Sequence, residues 1–424
     1  MTSLLRIFSL ELTALMRSWT AAILLALSLG WLFLADRFLV TDATADGHRE
    51  MLVRYGLGGV FALLVVSLLA AATGAIASER EAKRLQLTQV RPISGFAIAW
   101  GKFLALSVVG ASVLAVPCAV VAFSPEFRGR TCSHVLRPQM ITPREEAEKA
   151  YDFYMNAPDT PAQVKNARKA VVLRILEQRA KDNYQTVQTN ETAVWEFPGL
   201  SVWAAAHPDA GLSVRFRFSN TFNMRDDVRG AVAAPGFSAA VSNITQTAIV
   251  VPLARDGAKG GKDVLEFTNS GRAAVMLRPR QDVELLIPAD AFGWNMLRAF
   301  VVMTSVLALV IAFGVFLGAG LSRPVALFAA MTLLAVSEMS PSVIDQYPDQ
   351  LESDRIDSIG LAVTRAVDRA TKSVSSVSPL SSVAQDDCVE SRDAAGLFAF
   401  DFVLLPMFLC ALSAILVRRK QVAG

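Results

Sequence analysis

The sequence predicts an all-α polytopic membrane domain of six transmembrane helices, with an inserted α+β domain outside the membrane. Hydrophobic residues make up 53% of the 424 residues and charged residues only 19%, whereas soluble proteins carry about 25% charged residues. The apolar residues cluster into runs of about 20, the length that crosses a bilayer core about 30 Å thick. After the third run this pattern stops, and a two-residue period typical of strands appears before the fourth run begins.

The six apolar runs also predict an orientation. They are 21–40, 57–77, 97–123, 296–321, 324–343 and 396–417. Arginine and lysine mark the cytoplasmic ends of membrane helices. Basic residues precede run one, lie between runs two and three and between runs four and five, and follow run six, namely Arg6, Arg17, Arg80, Lys83, Arg84, Arg91, Arg323, Arg418, Arg419 and Lys420. These four clusters predict an inner-membrane protein with both termini in the cytoplasm.

The chain is therefore expected to have three parts. Residues 1–123 would hold an N-terminal interfacial helix and spans one to three, 124–293 an extracytoplasmic domain, and 294–424 spans four to six with an outer loop at 344–395. That loop carries ten acidic and five basic residues, as an outside loop can. Helical spacing of its apolar residues predicts a helix within it, with Ile356, Ile359, Val363, Val367 and Ala370 on one face.

The N-terminal segment is expected to be an amphipathic helix lying in the headgroup region. Its apolar face would hold Leu4, Leu5, Phe8, Leu12, Leu15 and Met16. A signal peptide over 1–45, cleaved at Ala43-Thr44-Ala45, is the alternative interpretation. The long apolar stretch before the first span argues against it.

The extracytoplasmic domain is expected to open with helices and continue with strands. Thr142-Pro143-Arg144-Glu145 forms a capping box with proline at the first helical position, and a second helix would run from Thr160 to about Lys181. Strands are predicted at 193–197, 212–218, 248–253, 264–267, 273–277 and 283–287. Asn269-Ser270-Gly271 would form a hairpin turn between two of them, and the whole would resemble a β-sandwich.

The sequence lacks the residues that several classes of function require. The three histidines, His48, His134 and His207, are far apart and share no motif, so neither a metal site nor a catalytic triad is predicted. No phosphate-binding Gly-x-x-x-x-Gly-Lys-Ser/Thr loop is present, since 257–263 lacks the required spacing. A net charge of +3 does not favour a nucleic-acid partner. We therefore expect a non-catalytic chain that binds no cofactor itself.

Two cysteines fall within predicted spans and two outside them. Cys132 and Cys388 are both expected in the oxidising compartment, which permits a disulfide between them. The alternative is two free thiols.

Three charged residues fall within the outer halves of predicted spans. Arg298, Glu338 and Asp401 would lie at similar depth, and charges there usually face a partner or a cavity. One hypothesis is that Arg298 pairs with Glu338 or Asp401 and holds an outer gate. The alternative is that Arg298 and Asp401 reach the nearby headgroups.

The segment between spans two and three is the most informative part of the sequence. A charged helix is predicted at about 78–91, followed by a turn and re-entry into span three. The pattern Glu79-Arg80-Glu81, then Pro92-Ile93-Ser94, then Gly101-Lys102, resembles the permease subunits of type-2 ABC exporters. The interfacial N-terminal helix and the six-span count are similar as well, and the large insertion is closer to members that carry a periplasmic domain.

The resemblance implies a function and partners. The permease would work with a separate ABC ATPase subunit that binds ATP-Mg, with a second permease copy or paralogue, and within the lipid bilayer. It implies that Glu79, Arg80, Glu81, Arg84, Pro92, Gly101 and Lys102 couple the ATPase to the spans. The alternative is a membrane-anchored sensor or envelope-assembly scaffold that acts through its ectodomain. A secondary transporter is disfavoured, because the sequence has no internal repeat.

Overall fold

The computed structural model describes residues 2–39, 45–82, 94–157, 169–181, 183–207, 210–219, 226–245, 248–256, 262–346 and 379–422. Arg84, Pro92, the start of the helix predicted from Thr160 and the helix predicted in the outer loop lie outside these residues, as does the side chain of Glu338. The chain divides into two compact units. The first holds residues 2–132, 290–346 and 379–422, and the second holds 133–289.

Helices form the framework of the first unit and also occur in the second. In chain order they are α1 Thr2–Arg17, α2 Thr20–Phe38, α3 Ala45–Met51, α4 Gly58–Glu81, α5 Gly95–Ala122, α6 Pro143–Asn156, α7 Lys169–Lys181, α8 Leu200–Ala206, α9 Pro279–Asp282, α10 Phe292–Gly320, α11 Arg323–Gln346, α12 Pro379–Ala384, α13 Ser391–Leu397 and α14 Leu405–Val422. Two π-helical segments, Leu52–Leu57 and Phe398–Leu404, make α3 continuous with α4 and α13 continuous with α14.

Five helical stretches are long and apolar enough to cross a membrane. They are Thr20–Phe38, Asp46–Glu81, Gly95–Ala122, Phe292–Gly320 and Ser391–Arg418. They coincide with predicted spans one, two, three, four and six, so the prediction of a membrane protein is confirmed at this level. The described apolar part of α11, Arg323–Val336, is shorter than a span. The fifth predicted span therefore stays a prediction.

The core of the first unit lies where α4, α5 and α10 pack together. Leu64 and Leu68 of α4, Phe103 and Leu114 of α5, and Ile311 of α10 are fully or almost fully buried there. By contrast, α2 leaves large apolar side chains exposed, including Trp31, Phe33 and Phe38. An outward apolar surface of this kind suits a helix that faces lipid.

The second unit is built on one curled antiparallel sheet. Its strands are β1 Thr131–Leu136, β2 Gln185–Val187, β3 Thr192–Glu196, β4 Leu212–Arg217, β5 Asp227–Ala234, β6 Phe237–Ile244, β7 Ala248–Arg255, β8 Val264–Asn269, β9 Val275–Leu277 and β10 Val283–Ala291. Eight of them lie in the order β1-β10-β4-β7-β6-β5-β8-β3, and β2 pairs with β9 in a separate two-stranded sheet.

The curl of this sheet replaces the predicted sandwich of two sheets. Phe216 of β4 and Phe267 of β8 belong to strands four places apart in the order, yet their ring centroids are 5.6 Å apart. Trp195 of β3 also lies near Phe216, with ring centroids 6.1 Å apart. One face of the sheet therefore folds around a single aromatic core.

All six predicted strands occur, and the capping box of α6 is confirmed, but the predicted hairpin is wrong. The Asn269 side chain accepts a hydrogen bond from Gly271 and donates to the carbonyls of Val187 and Ala273. These hydrogen bonds direct the chain that follows β8 away from that strand, and β9 pairs with β2 instead. The hairpin that the pattern missed joins β5 to β6 through Pro235-Gly236, where Gly236 has a φ of 78°.

Candidate functional site at the ends of α4 and α5

Lys102 lies at the centre of a polar cluster in the first unit. Its side chain is 4% exposed, and its Nζ lies 3.0 Å from Glu11 Oε2 of α1 and 2.7 Å from Glu79 Oε1 of α4. A buried ammonium group needs such partners, because removing it from water is costly unless it is paired and hydrogen-bonded. Lys102 therefore joins α1, α4 and α5 through two ion pairs.

Gly101 explains how α1 comes so close to α5. A Cβ at this position would lie 2.8 Å from Cγ2 of Ile7 and 3.3 Å from the backbone nitrogen of Phe8. Any larger side chain would push the two helices apart and lengthen the contact between Glu11 and Lys102. The Gly101-Lys102 pair thus supplies both the close approach and the charge that stabilises it.

Arg80 binds the end of α10. Its guanidinium donates to the carbonyl of Ala319 at 2.8 Å and also to the carbonyl of Leu321, the residue after the helix. The last carbonyls of a helix lack intrahelical partners and carry partial negative charge, so they suit an arginine. Arg80 is half-buried in this position.

Glu81 binds the start of α11. Its Oε1 accepts a hydrogen bond of 3.1 Å from the backbone N–H of Arg323, the first residue of that helix. The free N–H groups of a helix start favour a carboxylate there. The Arg323 side chain lies over Gly74 of α4, where an added Cβ would be 3.3 Å from its Nε.

Three consecutive residues at the end of α4 therefore contact three other helices and are linked to a fourth through Lys102. Glu79 reaches α5 directly and α1 through Lys102, Arg80 reaches α10, and Glu81 reaches α11. We call Glu11, Glu79, Arg80, Glu81 and Lys102 the junction. Displacement of the end of α4 would strain every one of these contacts, so the junction is suited to pass a movement from one segment to several helices.

The structure changes the expected form of the coupling segment. Residues 78–81 are the last turn of α4 rather than the start of a separate helix, and α4 ends with Ala82 as its C-cap. The rest of the predicted helix lies outside the described residues. Beyond it, Ser94 caps α5 by accepting a hydrogen bond of 3.2 Å from the backbone N–H of Ala97.

Arg298 forms an ion pair that the sequence did not predict. Its guanidinium lies 2.6 Å from Asp290 Oδ2, just before α10, and it also donates to the carbonyl of Val389 at 3.5 Å. Asp401 is fully buried within the π-helical segment before α14. Asp290 lies just before α10 and Arg298 lies about two turns further along the chain, so their side chains can form an ion pair.

Cys132 and Cys388, the predicted pair, form a disulfide in the structure, with their Cα atoms 5.1 Å apart. Asn295 of α10 fixes the chain on both sides of Cys388. Its amide donates to the carbonyl of Asp387 and accepts from the N–H of Val389, both at 2.8 Å. Asn295 is fully buried, so its two hydrogen bonds hold the loop against α10.

Sequence reasoning missed Glu11 and Asn295. A signal for Glu11 does exist, because it is the only acidic residue of α1 and lies four residues from both Ile7 and Leu15, which pack on the core. Asn295 has no comparable signal, since its partners are backbone groups of a distant loop.

The chain matches no protein-family model, no curated protein and no solved structure.

Proposed function

We propose that this chain is the membrane-spanning permease subunit of an ABC exporter and that a separate ATPase subunit drives it. The observation that supports this most is the junction. Glu79, Arg80 and Glu81, the residues through which the resemblance implies coupling, contact α5, α10 and α11, and Lys102 extends the contact to α1. Because these residues form the last turn of α4, they connect the segment that follows this helix to its neighbours.

In this mechanism the chain converts movement into transport. The ATPase binds ATP-Mg and presses on the segment that follows α4, and the junction distributes that displacement to the helices it contacts. The chemistry of hydrolysis stays in the partner. A second permease copy or paralogue completes the pathway in the inner membrane, with both termini in the cytoplasm, and the second unit meets cargo or an envelope partner on the outside.

The test is recovery of the ATPase with the full chain. The tagged protein is purified from its native membrane in mild detergent, and the co-purifying proteins are identified by mass spectrometry and assayed for ATP hydrolysis. We expect a chain with a Gly-x-x-x-x-Gly-Lys-Ser/Thr loop and vanadate-sensitive hydrolysis. Arg84→Glu, which reverses a charge in the coupling segment, should reduce recovery of that chain at least fivefold.

Arg128→Glu is the matched control, because Arg128 is an exposed arginine beyond the opposite end of α5. This variant should recover the ATPase as the wild type does. Recovery of an envelope protein and of no such ATPase would reject the exporter and favour the sensor or scaffold. Equal loss in both arginine variants would show that the coupling segment has no special role.

A further inference from the structure

Three potential metal ligands converge at the other end of α5 from the junction. Asp36 lies near the end of α2, His48 lies in α3, and Glu126 lies in the short 3-10 turn that follows α5. One ligand atom from each lies within 4.8 Å of the other two. The three residues come from separate segments of the chain, so the fold alone brings them together.

Two of the three distances between ligand atoms suit a small ion with tetrahedral coordination. His48 Nε2 lies 3.1 Å from Asp36 Oδ1 and 3.6 Å from Glu126 Oε1. Zinc binds imidazole nitrogen and carboxylate oxygen at about 2.0–2.2 Å, so neighbouring ligand atoms in a zinc tetrahedron are about 3.4 Å apart. The two measured distances lie on either side of that value, and a small rotation of either carboxylate would equalise them.

Among the described residues, the arginines near the cluster pair with carboxylates outside it. Two arginines are close, but Arg49 and Arg130 both pair with Asp46, and Arg130 also pairs with Asp386. Arg49 approaches Glu126 only at the backbone carbonyl, at 3.4 Å. One oxygen of each carboxylate and one imidazole nitrogen therefore lie within 4.8 Å of one another.

The cluster is also open to ions from solution. The side chains of His48, Asp36 and Glu126 are 31%, 50% and 41% exposed. A site with three protein ligands and an exposed side leaves a fourth position for water or for another donor.

We propose that Asp36, His48 and Glu126 form a binding site for a divalent transition-metal ion of the zinc class. Imidazole with carboxylate suits zinc, whereas calcium and magnesium take oxygen ligands. The bound ion would join the end of α2, the start of the α3–α4 helix and the turn after α5. This site is independent of the proposed export function.

The experiment uses the full-length protein with a histidine-free affinity tag, purified in detergent and stripped with a chelator. Zn²⁺ is titrated by calorimetry at pH 7.5, and thermal unfolding is measured with and without it. We expect one Zn²⁺ per chain and a higher Tm. His48→Ala and Glu126→Gln should each weaken binding at least tenfold and remove the Tm increase.

Two controls test whether the response to zinc belongs to these three residues. His207→Ala removes a histidine that stacks on Trp203 in the second unit, so it should bind Zn²⁺ as the wild type does. Ca²⁺ at the same concentration should leave the Tm unchanged. A wild type without zinc-dependent stabilisation, or one whose stabilisation survives His48→Ala, would overturn the proposal.

A pH series tests a different role for the cluster, in which protonated His48 simply forms ion pairs with the two carboxylates. Zinc binding requires neutral imidazole, so the zinc-dependent Tm increase should fall as the pH is lowered from 7.5 to 5.5. A His48-dependent rise of the Tm at low pH, with no response to Zn²⁺ at pH 7.5, would identify a proton-stabilised cluster and overturn the metal site.

Discussion

Lys102 is the residue on which the junction depends most. It is buried while both of its partners, Glu11 and Glu79, remain about one quarter to one third exposed. The pairing therefore mainly compensates for the cost of burying the ammonium group and adds little net stability of its own. Removing Lys102 would leave two carboxylates facing each other across a gap between α1 and α4.

We expect Lys102→Met to lower the free energy of unfolding by about 2 kcal/mol, which is less than for a fully buried pair because the carboxylates are partly solvated. The double variant Lys102→Met with Glu79→Gln should lose less than the sum of the single losses, because it also removes one of the facing carboxylates. Thermal unfolding in detergent measures both effects. Arg128→Met, a change at an exposed position, should stay within about 0.5 kcal/mol. Additive losses would show that the two residues do not interact.

Asp263 caps a helix in the second unit. Its side chain accepts hydrogen bonds from the backbone N–H groups of Gly199 and Ser201, at the start of α8. Hydrogen bonds from the Ser201 side chain and backbone, and then from the Gly199 backbone, lower the pKa of Asp263 from its ordinary value of 3.8. The sequence pattern alone indicates only the end of a turn at this residue.

The lowered pKa of Asp263 predicts a pH-dependent contribution to stability. A depressed carboxylate pKa stabilises the folded state above the unfolded-state pKa, and this contribution is lost as the pH falls through the folded-state pKa. We therefore expect Asp263→Asn to lower the Tm at pH 6 and the difference from the wild type to shrink below about pH 4. Thermal unfolding from pH 6 to pH 3 measures this. A constant difference over that range would contradict the pKa shift.

At the scale of elements, glycines decide which helices pack closely. Gly314 of α10 lies against Ala72 of α4, where an added Cβ would be 2.7 Å from the Cβ of Ala72. Gly318, one turn later, lies against the backbone of Thr73. Without a hydrophobic force between helices in lipid, such small residues let backbones approach and gain van der Waals contact. The α4–α10 contact thereby supports the end of α4 that carries the junction.

We expect Gly318→Ala to destabilise the protein by about 1–3 kcal/mol, because the added methyl group meets backbone that cannot move without separating the helices. Gly30→Ala in α2 is the matched control, since nothing lies within 4 Å of a Cβ there. Its effect should be neutral or stabilising by up to about 1 kcal/mol, the helix-propensity difference between alanine and glycine. Thermal unfolding of both variants measures the contrast, and equal effects would show that the contact with Thr73 carries no constraint.

For the molecule as a whole, the disulfide and the basic clusters both concern the orientation of the chain in the membrane. The Cys132–Cys388 bond joins residues 256 positions apart within the first unit, a closure worth at most about 5 kcal/mol by restriction of the unfolded chain. Disulfides persist in oxidising compartments. The basic clusters predict that this end of the spans is extracytoplasmic, where such a bond would persist.

Cysteine labelling tests that orientation directly. In right-side-out membrane vesicles, a membrane-impermeant maleimide should label Arg128→Cys, whereas Arg84→Cys should react only in inside-out vesicles. The wild type provides a low background, because Cys118 and Cys410 are buried and the other two cysteines are paired. Labelling of Arg84→Cys in right-side-out vesicles would reverse the topology and remove the basis for an ATPase at the coupling segment.

Features that depend on composition and on a local period could be predicted from the residues alone. Apolar runs of span length, the period of six strands and the capping box before α6 each reflect chemistry within a few residues, so they can be read without a fold. The hairpin prediction was wrong because strand pairing there depends on contacts between distant residues. Whether β9 pairs with β8 or with β2 depends on the hydrogen bonds of Asn269, which no local pattern reveals.

Which residues meet depends on how distant segments of the chain pack together. Lys102 and Glu11 are 91 positions apart and Asn295 is 94 from Val389, and the ligand cluster around His48 likewise joins three separate segments. A sequence specifies such contacts through helix packing, which depends on small residues such as Gly101 that let two helices approach. Burial then makes the pairing obligatory, because a charged or amide group removed from water must find a partner where the packing places it.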